Sequence, residues 1–356
     1  MSCLKNTFCA GLLALGLGGV GHAQDASLED RLTRAFEAGE LPGLHATVVA
    51  LQGEQLAEVY FPGEDERWGM PVGPRDHGPD TLHDLRSVTK SVVGLLYGIA
   101  LDKGMVPGVD QPLLAQFLDY ADLMDGSARE EILIEHALSM TMGMEWDESL
   151  PYSDPRNSEI AMELAEDRYR FILSRPVVQA PGREWTYSGG AVALLGKLIE
   201  DGSGMALDDF ARAHLFAPLG IENFEWVRGT DGVPSAASGL RLTAPDLARI
   251  GRMVAQDGQF DGQQVVPAEW LAQSFVVRAG LEPGFGYGYL WYLAGPPDRL
   301  FVLGLGNGGQ RLAVEPGVDF VAAVFSGNYN DPEGWRTSQK VVSEFAIPAA
   351  KARLAQ

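Results

Sequence analysis

The chain has 356 residues, 46% of them hydrophobic, and a formal net charge of −21. That is enough apolar material for one large domain or two closely packed ones. The acidity, and the lack of any basic stretch interleaved with aromatics, argue against nucleic acid as a partner.

The first stretch, MSCLKNTFCAGLLALGLGGVGHAQ, carries Lys5, an apolar run from Phe8 to Val20 and small residues at Gly21 and Ala23. This charged, apolar, small order predicts a signal peptide over 1–23, cut after Ala23, and a periplasmic or secreted protein. The run is too short and Gly-rich for a comfortable membrane span, so no stable insertion is expected after cleavage. Cys3 and Cys9 both fall here, leaving the rest of the chain without a thiol.

Residues 28–40 have helical spacing at Leu28, Leu32 and Phe36. Residues 43–63 alternate around Gln52-Gly53 and predict a β-hairpin. The Gly/Pro-rich stretch 67–81 reads as loop, and an apolar helix starts at Ser87. Helices are predicted over 130–140, 162–175, 189–204, 207–220 and 243–258, the last with Thr243 as N-cap and Pro245 in its first turn. Three consecutive antiparallel strands are expected at 286–294, 299–316 and 319–328, then a closing helix over 333–349. A hairpin at one end and strands at the other make an α/β fold. Its central antiparallel sheet is flanked by helices, with a mostly helical lobe inserted at about 105–260, in one domain spanning 24–356.

The helix from Ser87 poses a chemical question. It is apolar from Val88 to Ala100 yet holds Lys90, and a lysine is seldom buried without a reason. Positions i and i+3 share a helix face, which brings the Lys90 amine within reach of the Ser87 hydroxyl. A desolvated lysine loses its charge more easily and can help take a serine proton. Because a buried amine is costly, replacing Lys90 should leave the fold intact or more stable. On its own the pair is also an ordinary N-cap serine followed by a lysine reaching for water. Two further stretches bear on the choice. Tyr187, in WTYSGG, precedes a helix among small residues; beside a cationic amine its phenol would be acidified and could serve as base. The Gly-rich run GLGNGGQ, 304–310, marks a close backbone approach, and on an edge strand could supply half of an oxyanion hole, with the Ser87 N–H as the other half. The six histidines are spread along the sequence, with no H-E-x-x-H and no close pair, so neither metal nor cofactor is expected.

Taken in order, Ser87-Val88-Thr89-Lys90, Tyr187-Ser188-Gly189 and Asn307-Gly308-Gly309-Gln310 resemble the motifs of the penicillin-recognising serine hydrolases. These include class C β-lactamases, family VIII esterases and 6-aminohexanoate-dimer hydrolases; the last branch is the most similar. The stretches 132–148 and 180–190 resemble family segments too, so the likeness covers about 28–345. It implies a β-lactamase/transpeptidase-like fold and an acyl-enzyme on Ser87, with Lys90 and Tyr187 as proton shuttle. It also implies an oxyanion hole from the N–H groups of Ser87 and Gln310, with Gly189, Asn307, Gly308 and Gly309 lining the substrate, and no cofactor. His136, in the first of those segments, reads as structural. Two departures stand out. Gly189 replaces the β-lactamases' asparagine, and Asn307 replaces a lysine or histidine that would hold a substrate carboxylate. Small neutral esters or amides are therefore expected as substrates, with poor β-lactamase activity. The alternative is a non-catalytic module that binds cell-wall peptides or β-lactams. An α/β-hydrolase is excluded by the lack of a G-x-S-x-G elbow.

Overall fold

The computed structural model describes residues 26–296 and 299–356; the leader read at 1–23 lies outside them. Eight antiparallel strands form the main sheet: β1 (Leu44–Leu51), β2 (Glu54–Tyr60), β3 (Ala279–Glu282), β4 (Phe285–Tyr287), β5 (Tyr292–Ala294), β6 (Phe301–Gly306), β7 (Gln310–Glu315) and β8 (Phe320–Ser326), in the order β3-β4-β5-β6-β7-β8-β1-β2. The two chain ends meet where β1 pairs with β8, Val48 opposite Ala323. Successive strand residues face opposite sides. Val49, Ala322 and Val324 pack under the helix Leu28–Glu37 and the C-terminal helical run Trp335–Leu354. Val48, Val321 and Ala323 pack under the other layer. There Gly251 lets the helix Ala244–Ala255 lie close on the sheet, since a Cβ would stand 2.5 Å from Val321. Among the described residues no helix is long and apolar enough to cross a membrane.

The helix Val88–Asp102 is buried at every residue from Val88 to Ala100. Such all-round burial places a helix at the centre of a domain. Gly304 of β6 lies against its first turn, 3.0 Å (as a Cβ) from Val88.

Several expectations need correction. The late strands number six, because two expected strands each break in two and Ala279–Glu282 adds one that was not expected. Residues 286–294 split where the Tyr289 and Leu290 N–H groups leave the ladder for the carbonyls of Ser274 and Leu138, with Leu290 left-handed at φ 60°. Residues 299–316 form a hairpin turning at Asn307–Gly309, where φ is +89° at Gly308 and +91° at Gly309. The expected loop 67–81 holds most of a second hairpin, Gly63–Arg67 with Met70–Arg75. The helix expected over 130–140 shrinks to Ile134–Leu138, because Ile132 and Leu133 extend to pair with Leu113 and Pro112. That over 162–175 ends at Glu163; a new helix starts at Arg168, where Asp167 accepts the Arg170 N–H at 2.9 Å.

Candidate active site

Ser87 caps the central helix, yet its hydroxyl makes no capping bond, which leaves it free for other chemistry. Arg86, just before it, holds the left-handed conformation at φ 49°. A non-glycine residue persists there only where its surroundings hold it. They do: the Arg86 guanidinium reaches Glu66 at 2.9 Å and Asp84 at 3.1 Å and lies over the Tyr329 ring.

Lys90 is 1% exposed. Its Nζ donates to Ser87 Oγ at 3.2 Å, Glu159 Oε2 at 3.3 Å and the Ala237 carbonyl at 3.0 Å. An ammonium has three donors, and three acceptors meet them. The expected proximity of Ser87 and Lys90 is present. The cost expected of a buried amine is offset, because Glu159 matches its charge. Removing Lys90 alone would strand a buried carboxylate, so the expectation of an equal or more stable variant is reversed.

Tyr187 faces both groups: Nζ stands 4.8 Å from its ring centroid, and its hydroxyl is hydrogen-bonded to Ser87. The expected acidification does not hold. Burial, with the charges of Glu148 and Glu159, pushes the phenol well above its ordinary pKa, and the Ser87 bond opposes this only in part. At neutral pH the phenol keeps its proton and is set up to donate it.

Two carboxylates that the sequence reading missed complete the cluster. Glu159 starts the helix Ser158–Glu163, whose N-cap Asn157 accepts the Glu159 N–H at 3.0 Å; Ser238 donates to its other oxygen at 2.7 Å. Glu148 accepts from the Trp146 indole and the Gly189 N–H, both at 2.6 Å, and from Tyr152 at 2.9 Å. Burial, and then the charge of Glu159, raises its pKa to about 7. Gly189 is thereby explained. A Cβ there would stand 2.5 Å from Glu159 Oε2, so an asparagine and this carboxylate could not share the space. No short motif marks Glu148 or Glu159; the one local signal is Asn157, an N-cap residue type two positions before Glu159.

The third stretch does not join the cluster as expected. Asn307, Gly308 and Gly309 form the β6–β7 turn, and the Asn307 side chain pairs with Asn330. Gln310 turns its amide onto the Ser326 backbone, accepting at 3.1 Å and donating at 2.6 Å. Its main chain sits opposite Gly306 in the ladder between β6 and β7, not on an open edge. The nearby Arg311 bonds Ser338 on the far helix. The glycines that approach the nucleophile segment are Gly304 and Gly306; a Cβ on Gly306 would meet the Leu85 carbonyl at 2.5 Å. Strand β5 pairs with β6 only as far as Leu303. By strand alternation, Leu305 therefore offers its N–H on an edge that none of the described strands covers. His136 accepts the Leu133 N–H and packs under Gly182, a structural place.

Fold and site together define a class, the serine hydrolases built on the β-lactamase fold. The chain belongs to the beta-lactamase family, which it matches over residues 29–339. It is 25% identical over 310 residues to the 6-aminohexanoate-dimer hydrolase of Paenarthrobacter ureafaciens, covering 81% of this chain and 73% of that one. It is 24% identical over 227 residues to a beta-lactamase of Escherichia coli strain K12, covering 63% and 54%. Among solved structures it resembles EstCE1, a hydrolase with promiscuous acyltransferase activity (TM-score 0.70, 17% identity, 90% of this chain and 97% of that one). It also resembles the octameric penicillin-binding protein homologue of Pyrococcus abyssi (TM-score 0.65, 17% identity, 89% and 76%). These last two likenesses concern the fold.

Proposed function

We propose that this protein hydrolyses small esters or amides through an acyl-enzyme on Ser87, with its proton traffic routed through a Lys90–Glu159 pair. The observation that carries the reading is the position of Lys90 Nζ between Ser87 Oγ and Glu159 Oε2, buried and at 3.2 and 3.3 Å. In a dry site a neutral amine–acid pair is close in energy to an ammonium–carboxylate pair, because the charged form loses hydration. Lys90 passes a proton to Glu159, and the neutral amine takes the Ser87 proton as Oγ bonds the carbonyl carbon. The Tyr187 phenol, held protonated, gives its proton to the departing oxygen or nitrogen and regains one from Lys90. The Ser87 N–H and, in place of the Gln310 N–H, the Leu305 N–H are the donors assigned to the oxyanion. Water then repeats the sequence on the acyl group.

The acidic pair also shapes the substrate. Glu159 fills the space a side chain at 189 would take, Glu148 holds the Gly189 N–H, and the 307–310 turn carries no cationic residue. Substrates with a carboxylate near the scissile bond are disfavoured, and neutral or amine-bearing acyl groups are favoured. With the leader at 1–23, the proposed setting is periplasmic or secreted. The test is a matched set of chromogenic esters and anilides differing only in a terminal amine, methyl or carboxylate, run beside a β-lactam and a Ser87→Ala control. The proposal expects turnover that vanishes in the control, with kcat/KM for the amine at least about 10-fold above the carboxylate, one unscreened charge contact. Equal rates for the two acyl groups would overturn the substrate assignment. Turnover surviving in the control would overturn the nucleophile.

A further inference from the structure

Three histidines, His45 well upstream of His77 and His83, converge in the fold. His45 comes from β1, Asp65 from the strand Gly63–Arg67, His77 from the turn after that hairpin, and His83 from the short strand His83–Asp84. One ligand atom from each lies within 4.8 Å of the others. His45, Asp65 and His83 are at most 2% exposed, and the His77 side chain is equally covered. We propose that His45, Asp65, His77 and His83 form a buried four-ligand site for a divalent transition metal, zinc by its donor set.

The geometry carries the assignment in three ways. First, the tautomers are set. His77 Nδ1 lies 2.8 Å from the Phe61 carbonyl and His83 Nδ1 lies 3.1 Å from the Asp84 carbonyl. A carbonyl only accepts, so both Nδ1 atoms carry the proton and both Nε2 atoms present bare lone pairs inward. Backbone carbonyls orient metal-bound imidazoles in the same manner. Secondly, one lone pair has no donor: His77 Nε2 is buried without a hydrogen-bond partner, 3.7 Å from Asp65 Oδ2. A buried acceptor left unpaired is costly, and a cation would satisfy it. Thirdly, the spacings fit. Tetrahedral zinc with bonds of about 2.0–2.1 Å separates its ligands by roughly 3.3 Å. Here His45 Nδ1 is 3.0 Å from His83 Nε2, and His83 Nε2 is 3.6 Å from Asp65 Oδ1. On binding, the His45 proton moves from Nδ1 to Nε2, which frees Nδ1 as a neutral ligand. Asp65 is steadied from outside by Tyr329, Arg75 and the Glu66 N–H.

Three nitrogens and one oxygen, all from the protein, make a closed structural site rather than an open catalytic one. Its place in the chain gives it a task. It ties β1 and the 63–75 hairpin to the segment that runs through Asp84 and Arg86 into Ser87, and Tyr329 touches both Asp65 and the Arg86 guanidinium.

The test uses the full chain without an affinity tag, stripped with a chelator and titrated with zinc chloride by calorimetry, with metal content by plasma mass spectrometry. One zinc per chain and a zinc-dependent rise in Tm are expected, and cobalt should give the intense visible bands of a tetrahedral site. His77→Gln and Asp65→Asn should each weaken zinc binding by about 100-fold or more, beyond the 10–100-fold typical of losing an orienting neighbour. Stripped protein that takes up no zinc would overturn the proposal, as would variants that bind it like the wild type. If a variant fails to fold, X-ray absorption of the zinc-loaded wild type decides: a histidine-rich four-ligand shell supports the site and an oxygen-only shell contradicts it.

Discussion

Two buried polar clusters flank Ser87 in the sequence, and they are built in opposite ways. Around Lys90 the donors and acceptors balance. Three N–H groups meet three acceptors, one a carboxylate that also takes a bond from Ser238. Around His83 the inward-facing atoms are mostly acceptors, and one has no donor at all. The difference teaches what each can do. A balanced network with an internal ion pair can shift protons without creating an unpaired charge. An acceptor-rich one is completed by a cation from outside.

The comparison can be broken first at the nucleophile. Ser87→Ala should lower kcat by roughly 10⁴-fold or more, the scale of losing an acylated serine, in any ester assay that the wild type performs. Glu159→Gln comes next. The amide keeps its size and can still accept from Lys90, but it cannot bank a proton. A loss of about 10²–10⁴-fold in kcat with an unchanged circular dichroism spectrum is expected, the span of a general acid–base contribution. Stability separates charge pairing from packing. Lys90→Ala should cost about 3–5 kcal/mol at neutral pH, since it strands a buried carboxylate, and the double variant with Glu159→Gln should recover much of that in denaturant titrations.

Tyr187→Phe sharpens the assignment of the phenol as acid. Anilide turnover should fall by about 100-fold, whereas a 4-nitrophenyl ester, whose leaving group needs no proton, should lose far less. Equal losses on both would point to a base. The smallest effect concerns Glu148, whose pKa rises from an ordinary carboxylate value to about 7. The folded state holds this proton where the unfolded chain has lost it, so the wild type loses stability as pH climbs from about 4.5 to 7. Glu148→Gln should therefore raise Tm at pH 8 relative to pH 5, and remove an inflection near pH 7 from kcat/KM.

Much of this was legible in the sequence where the chemistry is local. Ser87 and Lys90 lie one helical turn apart and Tyr187 adjoins a helix start, but spacing left each open to a structural reading, and only the ordered resemblance of the three motifs joined them. The split sheet was legible too, because strand alternation needs only neighbours. Gln310 was misassigned, since a glycine-rich run looks alike whether it approaches a substrate or turns a hairpin. The β6–β7 register decides that, and register is a long-range property. Glu159 and Glu148 were invisible for the same reason: Glu159 meets Lys90 across 69 residues of chain, and Glu148 meets Gly189 across 41. His45, His77 and His83 looked scattered because a sheet, a hairpin and a short strand must form before their rings meet.

The account stands on the Ser87–Lys90–Glu159 proton path, and a fluorophosphonate label tests it most directly. Intact mass and peptide mapping should show a single adduct on Ser87, formed by the Glu159→Gln variant at least about 100-fold more slowly than by the wild type. An adduct on another residue, or labelling of the variant at the wild-type rate, would contradict it.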